Sequence, residues 1–125
     1  MSHIVVVETK IRNPNKNIAK RALELVAKKY GGEILETNVA RDLYVTVTGD
    51  FLARIKGRVV GVKADKTLEI VGDPYNWEDE FEKIRDEIEK TYVMVAVTVA
   101  MEMNNYTLTE VNDNKESVTM LFVRG

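Results

Sequence analysis

The chain has 125 residues, 45% hydrophobic and 30% charged, with no cysteine, a single histidine and a net charge of −2. That length suits one α+β domain over 1–125, long enough to bury roughly two-thirds of its unfolded surface without staples. Lacking cysteine, it has no disulfide framework, cysteine nucleophile, thiolate zinc site or iron–sulfur ligation, and His3 alone makes no histidine cluster, so no cofactor or metal is expected.

The opening Met1–Val7 has no basic region and meets Glu8 before an apolar stretch can form, which argues against a secretory signal. The expectation is a cytoplasmic chain. Ile4 to Ile11 is β-branched and then alternating, as a strand buried early and half exposed later would be. Asn13-Pro14-Asn15 breaks it, and Asn15 or Asn17 caps a helix running to Tyr30. Ile18, Ala22, Leu25, Val26 and Tyr30 form its apolar stripe, with Lys16, Lys20, Arg21 and Lys28 outside. Gly31-Gly32 supplies the stop.

Glu33–Ala40 and Leu43–Thr48 read as two strands. Phe51–Val62 and Thr67–Val71 read as an inserted hairpin over Lys63-Ala64-Asp65-Lys66. Gly57 and Gly61 inside it mark bulges or close backbone approach. From Trp77 onward, residue type and periodicity conflict. Tyr92–Val99 is strand-like in composition, yet Phe81, Ile84, Ile88, Tyr92, Val95, Val99 and Met103 keep a 3–4 spacing with no Gly or Pro between them. The spacing predicts one helix from Trp77 to Met103, roughly 40 Å long at 1.5 Å per residue, with a buried second half. The eleven uncharged residues Thr91–Met101 fall short of the roughly 20 that span a membrane, so no membrane association is expected. Tyr106–Val111 and Ser117–Val123 close the chain as a hairpin over Asn112-Asp113-Asn114-Lys115. This order predicts an antiparallel sheet with two helices on one face, a ferredoxin-like split βαβ core with an inserted hairpin. Such a layout carries no function by itself.

The charge is unevenly distributed. Residues 1–66 carry +6 and residues 67–125 carry −8. Arg54, Lys56 and Arg58 alternate, so on one strand they would share a face, with Lys63 and Lys66 at the adjoining turn. That segment suits an edge strand guarded by charge, a docking surface for an acidic partner or for the chain's own acidic helix, or polyanion and RNA binding through 54–66. No aromatic lies between Phe51 and Tyr75 to stack bases, which disfavours the nucleic-acid reading. Trp77, beside Tyr75 and Phe81, serves either as a core plug or as an interaction patch. Gly57-Arg58-Val59-Val60-Gly61 lacks the Lys-Ser/Thr ending of a phosphate loop. The carboxylates from Asp73 to Glu89 line the outer face of a helix, where charge is normally solvated.

Met1-Ser2-His3 before a hydrophobic residue, Thr9, Ile11, Tyr30-Gly31, Gly72-Asp73-Pro74-Tyr75-Asn76-Trp77, Phe81, Ile84, Tyr92, Tyr106, the Asp113–Val118 turn and Val123-Arg124 resemble one family. It is that of the conserved hypothetical chloroplast reading frame thirty-five, a small domain of unknown function. Asn105 and Asn114 stand where that family tends to have glycine. Asparagine tolerates the left-handed conformation that glycine would supply. The resemblance implies a continuous helix through Tyr92 and a small accessory subunit, its genes often lying near an AAA-type ATPase. It brings no catalytic residue with it. Residues and resemblance together predict a non-enzymatic interaction module that pairs with itself or with a larger protein such as that ATPase. Arg54, Lys56, Arg58, Tyr75 and Trp77 are its candidate contact residues.

Overall fold

The computed structural model describes residues 2–114 and 117–125. Met1 of the opening tripeptide and Lys115 of the expected last loop lie outside them. The elements are β1 (Val5–Arg12), α1 (Lys16–Lys29), β2 (Glu33–Leu35), β3 (Val39–Arg41), β4 (Thr46–Thr48), β5 (Phe51–Ile55), β6 (Arg58–Ala64), β7 (Thr67–Gly72), α2 (Glu78–Glu102), β8 (Tyr106–Asp113) and β9 (Val118–Arg124). It is an α+β protein with two helices and an antiparallel five-stranded sheet. The sequence reading treated 1–125 as one domain. By internal contacts the chain groups into two compact units, Met1–Tyr92 and Val93–Gly125.

In the first unit the sheet runs β1-β7-β6-β5-β2. Its middle is the consecutive meander β5-β6-β7, closed by short turns at Lys56-Gly57 and Asp65-Lys66. The split βαβ expectation would draw a strand from beyond α2 into this sheet. Among the described residues, β8 and β9 pair only with each other. The pair that leaves the sheet is β3–β4, whereas the segment 51–71 forms its centre. Tight local turns favour this outcome, since neighbouring antiparallel strands close with little loop entropy.

Asn15 caps α1, its side chain accepting a hydrogen bond from the Ile18 N–H at 3.0 Å. The buried face is Ala19, Ala22, Leu23, Val26 and Ala27, rotated from the expected stripe, with Ile18 and Leu25 only partly covered. Three alanines let α1 lie close on β5 and β6. The first part of α2 lies beside α1. Tyr92 accepts from the Asn15 N–H at 2.8 Å, and Lys29 meets Glu87 at 2.8 Å. Phe81 closes over Gly72 of β7. Val47, Leu52, Val59 and Val71 form a further buried cluster, with Leu35 and Ala40 against it. Strand β1 is a half-exposed edge, not one buried early: Val6 is exposed, and Thr9 is buried with its hydroxyl donating to the Leu68 carbonyl. The expected strand 33–40 breaks after Leu35, and Leu43 and Tyr44 lie outside any strand.

In the second unit α2 continues through the strand-like stretch to Glu102, as the unbroken spacing predicts. Asn105 has φ 65°, the left-handed turn that leads into β8. β8 and β9 pair with a register shift between Leu108 and Glu110.

Gly32 is where α1 returns to the sheet, and a Cβ there would lie 2.1 Å from the Arg54 carbonyl oxygen. Backbone cannot yield as a flexible side chain can. Gly32→Ala is therefore expected to cost about 1–3 kcal/mol, read as a lowered midpoint in urea. An unchanged midpoint would contradict this close approach.

Candidate functional site

The alternation of Arg54, Lys56 and Arg58 does not survive folding. Lys56 and Gly57 have φ of 53° and 79°, the pair of positive values that a two-residue type I′ hairpin turn demands. The chain reverses there, so Arg58 begins β6 and pairs with Ile55. Lys63 and Lys66 sit at the far end of β6, roughly 20 Å away at 3.3 Å per residue. The five positive charges of 54–66 are thus dispersed over both ends of the sheet, and none of them guards an edge strand.

Lys56 and Arg54 stay near the surface. The Lys56 ammonium lies 3.5 Å from Glu80 and 5.1 Å from the centre of the Tyr30 ring. With Lys29–Glu87, this joins basic elements of the first half to the acidic helix within one chain. Arg54 and Lys56 flank an open hollow of about 450 Å³ that also includes Tyr30, Gly32 and Glu33. Glu33 tempers its positive charge.

Arg58 is buried, with a side-chain exposure of 10%, and grips Asp42, whose exposure is 0%. Its Nε and Nη2 donate to both carboxylate oxygens at 3.0–3.2 Å. Nη1 donates to the Tyr75 carbonyl at 2.9 Å and Nη2 to the Asp73 carbonyl at 3.1 Å. The guanidinium stacks 5.0 Å from the centre of the Trp77 ring, whose Nε1–H donates to the Asp73 carbonyl at 2.6 Å. Trp77 is a buried plug, edge-on to Phe81. Tyr75 is half-buried and meets the exposed Tyr44 edge-on at 6.3 Å. Of the five candidate contact residues, Arg58 and Trp77 are therefore interior, and Arg54, Lys56 and Tyr75 remain accessible. A strand-first reading missed this because the reversal turn falls on a lysine.

Pairing of Val5 with Gly72 carries the chain's opening to the same end of the sheet. Asp73 is fully buried. Its Oδ1 accepts from the Tyr75 N–H at 3.0 Å and the His3 N–H at 3.3 Å. Its Oδ2 and the buried Ser2 Oγ have no hydrogen-bond partner. Ser2-His3 and the segment 72–77 thus meet here. Sequence reasoning overlooked Asp42 and set Asp73 among solvated carboxylates on a helix's outer face, whereas Asp73 precedes α2 and is buried. The one available signal was Arg58 itself, a lone charge opening an apolar run from Val59 to Val62. Among the described residues no three His, Asp or Glu side chains converge to hold a metal. The cluster is a clamp centred on the Arg58 guanidinium.

The second unit differs. None of its described residues is buried. Val93, Val97 and Val99 of α2, Met103 just past its end, and Val111, Leu121 and Val123 of the hairpin are exposed, Leu121 by 53%. The expected burial of the helix's second half does not occur within the chain. No helix among the described residues is long and apolar enough to cross a membrane. Comparison with protein-family models, curated proteins and solved structures gave no match.

Two tests follow from these pairings. Asp42→Ala leaves the Arg58 guanidinium buried and unpaired, with an expected loss of about 3–5 kcal/mol in denaturant, much of it recovered when Arg58→Met is added. Near α2, burial and then the Glu87 hydrogen bond and charge push the Tyr30 hydroxyl up to about 12. Burial works to raise Glu87, but hydrogen bonds from Lys29 and Tyr30 outweigh it and hold the carboxyl below its ordinary 4.5. Stability from Tyr30 is complete below its unfolded value of about 10 and is lost between there and 12, while that from Glu87 is lost as pH falls below 4.5. Glu87→Gln should bring one tyrosinate absorbance step down toward 10, and a step unmoved by that change would remove the assignment.

Proposed function

We propose that this chain is a non-enzymatic cytoplasmic interaction module, acting through self-association or a larger protein partner. The observation that carries the reading is the second unit, which has no buried residue among those described yet exposes a row of valines. A two-stranded hairpin and a short helical end are each marginal alone in water. Apolar surface of this kind marks a place that another protein covers. Its composition also explains why Thr91–Met101 has no charge: a helix apolar all round is a buried helix, and this one lacks a cover of its own.

The contact surface therefore lies on the apolar side chains of the second unit, Val93 to Val111 with Leu121 and Val123, rather than on the basic strand. Lys56 is engaged by Glu80 of the acidic helix, and Arg58 is consumed by Asp42. An AAA-type ATPase, the class that the family resemblance suggests, is one larger partner the reading admits. Dispersal of the five basic residues removes the continuous patch that a polyanion reader would use.

Native mass in cell extract tests this. The parent chain is expected to migrate well above its 14.2 kDa. Val97→Lys with Leu121→Lys is expected to return it to chain mass with its melting temperature retained, since both side chains are exposed. A parent chain that already runs at chain mass would remove the reading.

A further inference from the structure

We propose that the hollow between the end of α1 and the β5–β6 turn binds a free α-amino acid, its carboxylate on Arg54 and Lys56 and its ammonium on Glu33. The inference lies wholly within the first unit and does not depend on the interaction surface of the second.

Glu33 opens β2 and stands directly opposite Arg54 of β5. Side chains so placed leave the sheet on one face, and opposite charges there ordinarily meet. Here they stay apart. The Arg54 guanidinium makes one contact, a 3.5 Å approach of Nη1 to the Gly57 carbonyl, at the limit of a hydrogen bond. Among the described residues no hydrogen bond or ion pair engages the Glu33 carboxylate, and no carboxylate lies within 4.0 Å of the Arg54 guanidinium. Lys56 differs, since its ammonium is already 3.5 Å from Glu80. Two opposite charges with donors and acceptors to spare therefore flank one hollow of about 450 Å³.

Backbone forms much of the lining. Gly31, Gly32 and Gly57 all contribute to it, and a Cβ added at Gly31 or Gly57 would meet nothing within 4 Å. The space over both is open to a small molecule. Gly31 and Gly32 follow the last turn of α1, the helix end that carries partial negative charge and favours a cation. Glu33 and that helix end thus suit an ammonium, and Arg54 with Lys56 suits a carboxylate. An anion alone would face Glu33, and a cation alone would face Arg54. A zwitterion satisfies both. A peptide terminus brings only one of the two charges, whereas a free amino acid carries them on a single carbon.

Glycine is the probe, titrated into the purified full chain carrying isotope-labelled glycine residues and followed by the backbone-amide resonances. The signals of Gly31, Gly32 and Gly57 should move together with a Kd of about 1 mM, the scale open to a ligand of few atoms. Gly49 and Gly61, which lie outside the lining, should stay fixed. N-acetylglycine lacks the ammonium and glycinamide lacks the carboxylate, so each should bind about tenfold more weakly or worse. Arg54→Gln and Glu33→Gln should each weaken glycine by a similar factor with the melting temperature retained, and either variant alone decides if the other fails to fold. Amides of the lining that do not move at glycine concentrations about tenfold above that Kd overturn the site. Glycine affinity unchanged in either folded variant overturns it equally. N-acetylglycine or glycinamide binding as tightly as glycine overturns the zwitterion.

Discussion

The ion pair between Arg58 and Asp42 organises one whole end of the sheet. Asp42 belongs to the loop between β3 and β4, and Arg58 opens β6. The carbonyls that Arg58 also binds belong to the segment leading into α2. One guanidinium thus ties three separate stretches of chain together, and Trp77 covers its face. Burying two charges is costly, and only complete hydrogen bonding offsets the desolvation. Here four of the five guanidinium N–H groups reach protein acceptors and the grip on Asp42 is bidentate. The β3–β4 pair needs such an anchor, because a two-stranded hairpin has little stability of its own.

The same economy governs the uneven charge of the chain. Lys29, Lys56 and the Tyr30 hydroxyl reach Glu87 and Glu80 on α2, so part of the basic half meets the acidic helix inside one chain. Exposed pairs of this kind contribute little each, typically below about 1 kcal/mol, but they orient the helix. The first unit also exposes Ile4, Val6, Val39, Leu43 and Tyr44, but these surround a buried core. The unusual surface belongs to the second unit, where apolar side chains face water without a core beneath them.

Local chemistry made several elements legible in advance. The Asn15 cap, the Gly31-Gly32 stop and the unbroken 3–4 spacing of α2 depend on neighbours a few residues apart. Periodicity overrode β-propensity in Tyr92–Val99 because nothing there interrupts the helical hydrogen-bond ladder. The basic segment failed for an equally local reason. A lysine took the left-handed position at a turn that asparagine or glycine usually announces, so one strand was read where there are two.

By itself the sequence determined the class of the fold, the continuity of the long helix, the absence of thiol chemistry and the uncharged stretch 91–101, all of which depend on composition or on short spacing. The tertiary structure alone decided which charges are spent inside. Arg58 looks like a surface residue until folding brings Asp42 and the Asp73 carbonyl to it from 16 and 15 residues away, and Trp77, which the sequence leaves between core plug and interaction patch, is buried. It likewise decided that the apolar end of α2 stays uncovered. Burial depends on what long-range packing places against a side chain, and no pattern along the chain reports that.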